Sequence, residues 1–227
     1  MINLLDLLAR PERFFSSLEG KEPDLRIPAA IAIVGAIIAA IAGYAMSGLY
    51  TELYAGIAEG MGPVMGIFII ISAFIGFLVM WWLVMAVVFF LISLLFKGRG
   101  KFTHTLANTG YGLVPVIIGS IVTTLVFLSY LPRIVVPVIR NIQDPAVIQE
   151  AMQELMHDPA MMEYTWVSMA ISALFLLWSA NIWIFGVKQA RNITLKQACI
   201  TVAIPVGAFI IYTLYIAVVG VPIPGGA

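Results

Sequence analysis

Charge is missing from most of this chain. No lysine, arginine, aspartate or glutamate interrupts Ile27–Ser47, Gly60–Phe96, Thr105–Pro132, Tyr164–Val187 or Gln197–Ala227. Cysteine is nearly absent too: the lone Cys199 excludes an intrachain disulfide and a thiolate metal cluster. It opens the fifth apolar stretch and reads as a packed, inert thiol. The two histidines, His104 and His157, fall on opposite sides of an apolar stretch, and no HExxH pattern occurs. Glu150, Glu154, His157 and Asp158 share a helical face, which reads as a solvated surface rather than a metal site. Gly98-Arg99-Gly100 lacks the rest of a phosphate loop and follows an apolar helix instead of a strand. Net charge is zero, so nothing attracts nucleic acid in bulk. The chain is read as non-enzymatic, with no cofactor and no metal.

What is present is apolar length. The chain is 62% hydrophobic and 11% charged, with mean hydropathy +1.03, against about half and a quarter in soluble domains. Each stretch meets the roughly 20 residues that a bilayer crossing needs. A barrel strand would alternate over about ten residues, and in hydrocarbon a continuous apolar run must satisfy its own backbone as a helix. The fold class is all-α: a polytopic bundle of five transmembrane helices with amphipathic helices at the N-terminus and in an external loop.

The cations alternate between gaps. Arg10, Arg13, Lys21 and Arg26 precede the first stretch; Lys97, Arg99 and Lys101 follow the second; Lys188, Arg191 and Lys196 follow the fourth. Only Arg133 and Arg140 lie on the other side. Ten of twelve on one side predicts a cytoplasmic N-terminus and an external C-terminus. Tyr50, Tyr54, Tyr130, Tyr164, Trp166, Tyr212 and Tyr215 then gather toward the outer edge, with Trp183 and Tyr111 toward the inner one.

The expected layout is a cytoplasmic amphipathic segment 1–26 and a transmembrane domain 27–227. Helices are placed at about 27–47, 64–96, 105–131, 164–187 and 198–219, with an external amphipathic connector at 133–163. The N-terminal segment breaks at Pro11, which begins a new helical turn, and is expected to lie on the cytoplasmic leaflet, with a protein-docking helix as the rival reading. Asp144-Pro145 and Asp158-Pro159 each pair an N-cap acid with a proline at the first helical position. The second stretch would make a helix of about 50 Å against about 30 Å of hydrocarbon. It reads as one long helix, or as two segments broken at Gly76. Trp81 and Trp82, roughly 24 Å above Lys97 by helical rise, are placed near the outer interface.

Without intramembrane charge there is no sign of ion coupling or a proton relay. Pro115 and Pro205 could free backbone groups for a solute, or simply kink their helices. Ala32, Ala36 and Ala40 form one small-residue row and Gly35, Ala39 and Gly43 another; both suit close helix approach within the bundle or between copies.

The run Phe96-Lys97-Gly98-Arg99-Gly100-Lys101-Phe102-Thr103-His104-Thr105-Leu106, leading to Tyr111-Gly112-Leu113-Val114-Pro115, resembles the central signature of the Yip1 family. Lys188–Ala198 resembles that family's second basic turn, and Pro11 with Phe14 and Phe15 resembles the start of prokaryotic members. The resemblance marks Phe102, Tyr111, Pro115 and Pro205 as motif and kink positions. It implies five helices, a cytoplasmic N-terminus and a role in the orbit of membrane trafficking. Eukaryotic members associate with prenylated Rab-type GTPases and with one another, and they carry a longer polar N-terminal region; about 26 residues stand in its place here.

The reading that follows is a multi-pass membrane scaffold in the cell membrane of a bacterium or archaeon. Its cytoplasmic face, through Arg10, Arg13, Lys97, Arg99, Lys101, Lys188, Arg191 and Lys196, recruits a protein partner or organises lipid. Partners are membrane lipids, a protein at that face and a second copy of the chain. The alternative is a small-solute permease or lipid-handling transporter working through the Pro115 and Pro205 helices.

Overall fold

Arg26–Leu53, Pro63–Leu95, Phe102–Arg133, Pro159–Arg191 and Leu195–Val218 are the five helices long and apolar enough to cross a membrane, among the residues described. The computed structural model describes residues 4–55, 61–139, 141 and 143–219. The chain is an all-α polytopic membrane protein. Two short helices, α1 (Leu4–Ala9) and α2 (Pro11–Ser16), precede the first span, α3 (Arg26–Leu53). The end of the bundle that carries α1, α2 and the Lys97 and Lys188 turns is called the basic end below.

The second span is continuous. Helix α4 (Met61–Gly76) passes through a π-helical segment (Phe77–Val84) into α5 (Met85–Leu95). The change begins directly after Gly76, the residue at which the sequence suggests a break. Wider turns of this kind redirect side chains. Here Phe77 packs on the first and third spans, Trp81 on the fifth and Trp82 on the third. The two tryptophans therefore face bundle partners. Their expected placement at the outer interface is corrected.

The first span packs most extensively on the second. Ala32 and Ala36 are buried, Gly35 lies against the Phe77 ring, and a Cβ on Gly43 would stand 3.2 Å from that of Ala73. Ala32, Gly35, Ala36 and Gly43 of the small-residue rows are thus used inside one chain. This span also runs beyond its expected end at Ser47, because Leu49 and Leu53 are buried under the connector.

The third span is broken: α6 (Phe102–Tyr111) ends at Gly112, and α7 (Leu113–Tyr130) restarts, followed by a short 3-10 turn (Leu131–Arg133). The connector supplies α8 (Pro145–His157), with the Asp144 carboxylate accepting from the Ala146 N–H at 2.9 Å. Ala151 and Leu155 on its apolar face are buried, and the Ile139 N–H donates to the Leu53 carbonyl at 2.8 Å, so the connector caps the first span. The fourth span, α9 (Pro159–Arg191), starts five residues earlier than expected because Asp158 accepts from the Met161 N–H at 2.9 Å. The fifth, α10 (Leu195–Val219), continues through Pro205.

Candidate functional site

The two basic turns are one structure. Helix α5 ends at Leu95 and the chain leaves through Lys97, whose φ is 56°; α9 ends at Arg191 and leaves through Asn192, whose φ is 51°. Left-handed exits of this kind turn a chain back over its own helix end. Both turns then meet. The Arg99 N–H donates to the Arg191 carbonyl at 2.7 Å. Gly100, at φ +125°, lies against the Ala190 carbonyl where any side chain would collide.

Arg191 fastens them. It is 1% exposed. Its Nε donates to Ser93 Oγ at 2.8 Å, one terminal nitrogen to the Gly98 carbonyl at 2.7 Å, and the other to the Gly100 carbonyl. The guanidinium lies 4.2 Å from the Phe90 ring centroid. Among the described residues no carboxylate pairs with it. A planar, weakly hydrated fork can be buried on carbonyl dipoles and a ring face in a way that an ammonium cannot. Arg191 was grouped in sequence with surface contact residues, and that grouping is corrected: its donors are spent inside the protein.

Helix α6 is held from both sides. Trp82 Nε1 donates to the Leu106 carbonyl at 2.9 Å and Trp183 Nε1 to the Thr109 carbonyl at 2.9 Å. Asn108 uses both amide protons, on the Gly186 carbonyl at 2.9 Å and on Gln189 Oε1 at 2.8 Å. Gly112 sits against the Trp183 indole, leaving no room for a Cβ, and its N–H donates to the Thr109 carbonyl at 3.1 Å. Pro115 falls in the first turn after this break, where its missing N–H costs no helix bond. Buried Trp183 and Tyr111 are therefore core residues, not the interfacial aromatics expected from sequence.

The N-terminal segment also belongs to the core. Phe14 and Phe15 are 4% and 1% exposed, and both rings meet Tyr111 edge-on, at 5.1 and 6.3 Å. Gly186 leaves the space that Phe15 fills: a Cβ there would stand 3.1 Å from the ring. Lys188 Nζ reaches Glu12 at 2.8 Å, and Trp178 Nε1 donates to the Leu8 carbonyl at 3.2 Å. The segment docks on the third and fourth spans, correcting the expectation that it lies on a leaflet; among its described residues Leu4 and Leu5 alone keep large apolar exposure.

Arg10, Arg13, Lys97, Arg99, Lys101 and Lys196 remain exposed, Lys188 is paired, and Lys101 lies 4.0 Å from Glu22. Phe102 stacks edge-on with Phe90 at 5.5 Å, next to the Arg191 cluster, whereas Pro205 lies inside α10. Sequence reasoning missed Ser93, Asn108, Trp82 and Trp183 as holding residues. The signal available was that polar and indole side chains buried in a bundle need partners. No group of three His, Cys, Asp or Glu is brought together among the described residues.

The Yip1 domain family matches residues 5–218. An uncharacterized protein of Methanocaldococcus jannaschii, an archaeon, is 36% identical over 123 residues, covering 54% of this chain and 86% of that protein. No solved structure matches.

Proposed function

From the membership of this chain in the Yip1 domain family, we propose that it is a non-enzymatic membrane scaffold that recruits an acidic protein partner at its basic end. The observation that carries this reading is the Arg191 lock. By joining the Lys97 and Lys188 turns, it turns exposed Lys97, Arg99 and Lys196 into a platform with fixed spacing. Side chains held on rigid backbone lose less entropy on binding than those on free loops. The basic end carries ten cations against five acids, Asp6, Glu12, Glu19, Glu22 and Asp24. It faces the cytoplasm by the cation rule, in the cell membrane of a prokaryote.

A second reading, organisation of anionic lipid, is favoured by the same surplus, since each cation near a charged membrane surface contributes about 1 kcal/mol. Transport through the proline helices has less support. The Thr109 carbonyl near the Pro115 break is taken by Gly112 and Trp183, so that group is not open to a solute.

Photo-crosslinking from position 101 or 196 in native membranes separates these readings. A discrete protein adduct supports recruitment, and anionic lipid adducts alone support the second reading. Recovery of neither overturns both.

A further inference from the structure

The half of the bundle away from the basic turns is open. A cleft of about 1030 Å³ lies among all five spans. Ala39, Trp81, Val116, Leu176 and Phe209 form its floor, each thirteen to fifteen residues from the basic end of its own span. At helical rise that is about 20 Å, near the middle of the bundle. An edge-on contact between Trp81 and Phe209, with centroids 5.1 Å apart, closes the floor. His157 and Trp166 stand at the mouth.

The volume reaches the upper end of small-ligand pockets, about 300–1,000 Å³. Among the described residues no Asp, Glu, Lys or Arg lines it. The walls carry hydroxyls, but most are spent. Thr123 donates to the Gly119 carbonyl at 3.0 Å, Thr165 to Met161 at 2.8 Å, Ser168 to Thr165 at 3.1 Å and Thr213 to Ile210 at 2.9 Å. A polar solute entering would lose hydration with little in return. An alkyl chain loses nothing, and alkyl chains are the solvent at this depth. From Met162 at the mouth to Leu176 at the floor the fourth span rises about 21 Å, close to one leaflet of a hydrocarbon core about 30 Å thick with its interface. Aromatic and histidine side chains at the rim fall where headgroups lie. That end of the protein carries seven acids and only Arg133 and Arg140 as cations, which disfavours an anionic headgroup.

We propose that this cleft binds the acyl chains of one neutral or zwitterionic lipid, drawn from the leaflet opposite the basic turns. The site is separate from the scaffold surface and does not depend on it.

The test reconstitutes the full chain in phosphatidylcholine vesicles containing a phosphatidylcholine with a photoactivatable acyl chain. Adducts should concentrate at Met169, Ser172 and Phe175, and excess phosphatidylglycerol should compete poorly. Ala173→Trp, which fills the cleft, should lower those adducts at least fivefold, while Ile71→Trp on the outward face of the second span should not. Thr213→Trp fills the cleft from the fifth span and gives the same reading where Ala173→Trp folds poorly. Adducts spread evenly over the lipid-facing helices, adducts unchanged by either filling variant, or crosslinks to a second copy through the cleft would overturn the proposal.

Discussion

Arg191 Nε donates to Ser93 Oγ at 2.8 Å, and both side chains are buried. Ser93 in turn donates to the Phe90 carbonyl at 2.6 Å, whose ring lies under the guanidinium. The last turn of the second span is therefore tied to the last turn of the fourth by a cation that pairs with no carboxylate among the described residues. This contact turns two loops into one surface.

Arg191→Met keeps most of the volume and removes every donor, so the Gly98 and Gly100 carbonyls are left without their guanidinium partner. The expected cost is on the order of 3 kcal/mol, read as a lower thermal midpoint in detergent and faster trypsin cleavage at Lys97, Arg99 and Lys101. Arg191→Lys should fall between, because one ammonium cannot reach all three acceptors. An unchanged cleavage rate in Arg191→Met would remove the lock from the account.

Trp183→Phe retains the ring and loses the bond to the Thr109 carbonyl, an expected loss of about 1 kcal/mol. Gly112→Leu drives a side chain into the indole and should cost several times more, by overpacking. Chemical denaturation of the purified protein distinguishes them, and equal effects would mean that the Gly112 approach is not tight.

Phe15→Ala opens a gap between α2 and Gly186 and should cost about 3–5 kcal/mol, as buried aromatic truncations do. Amide exchange at residues 11–18 should rise with it. Glu12→Gln removes a partly exposed ion pair and should cost less than about 1 kcal/mol. If Glu12→Gln frees α2 as fully as Phe15→Ala does, the docking is electrostatic and the packing explanation is wrong.

Much of the fold was legible because hydrophobic length and capping chemistry act locally. Uninterrupted runs located five spans, and Asp144-Pro145 and Asp158-Pro159 marked two helix starts that the structure reproduces. Helical rise set Trp81 and Trp82 about 24 Å from Lys97 but gave neither their depth in the bundle nor their surroundings. There the interface preference of indoles lost to Phe209 and to the Leu106 carbonyl. Arg191 was illegible for a related reason. In a count of loop cations a buried guanidinium looks like its exposed neighbours, and its acceptors come from the other turn. The cleft was hidden by composition as well, because Thr123, Thr165 and Thr213 read as polar until their protons are traced back to their own helices.

Asp158 serves two chains of contact, capping α9 through Met161 and accepting from the Val135 N–H at 3.3 Å. Asp158→Ala should therefore cost about 1 kcal/mol or more and raise amide exchange at Val135 as well as at Met161. Exchange rising only at Met161 would show that the second contact is not held in solution.

The most direct test of the scaffold reading places a photo-crosslinker at position 196 in native membranes and compares the parent chain with the Lys97→Glu, Arg99→Glu double variant. The account predicts a discrete protein adduct in the parent chain. That adduct should fall at least tenfold in the double variant and weaken as salt rises toward 1 M, where the Debye length shrinks to about 3 Å. An adduct of equal yield in both chains, or none in either, would contradict recruitment at the basic platform.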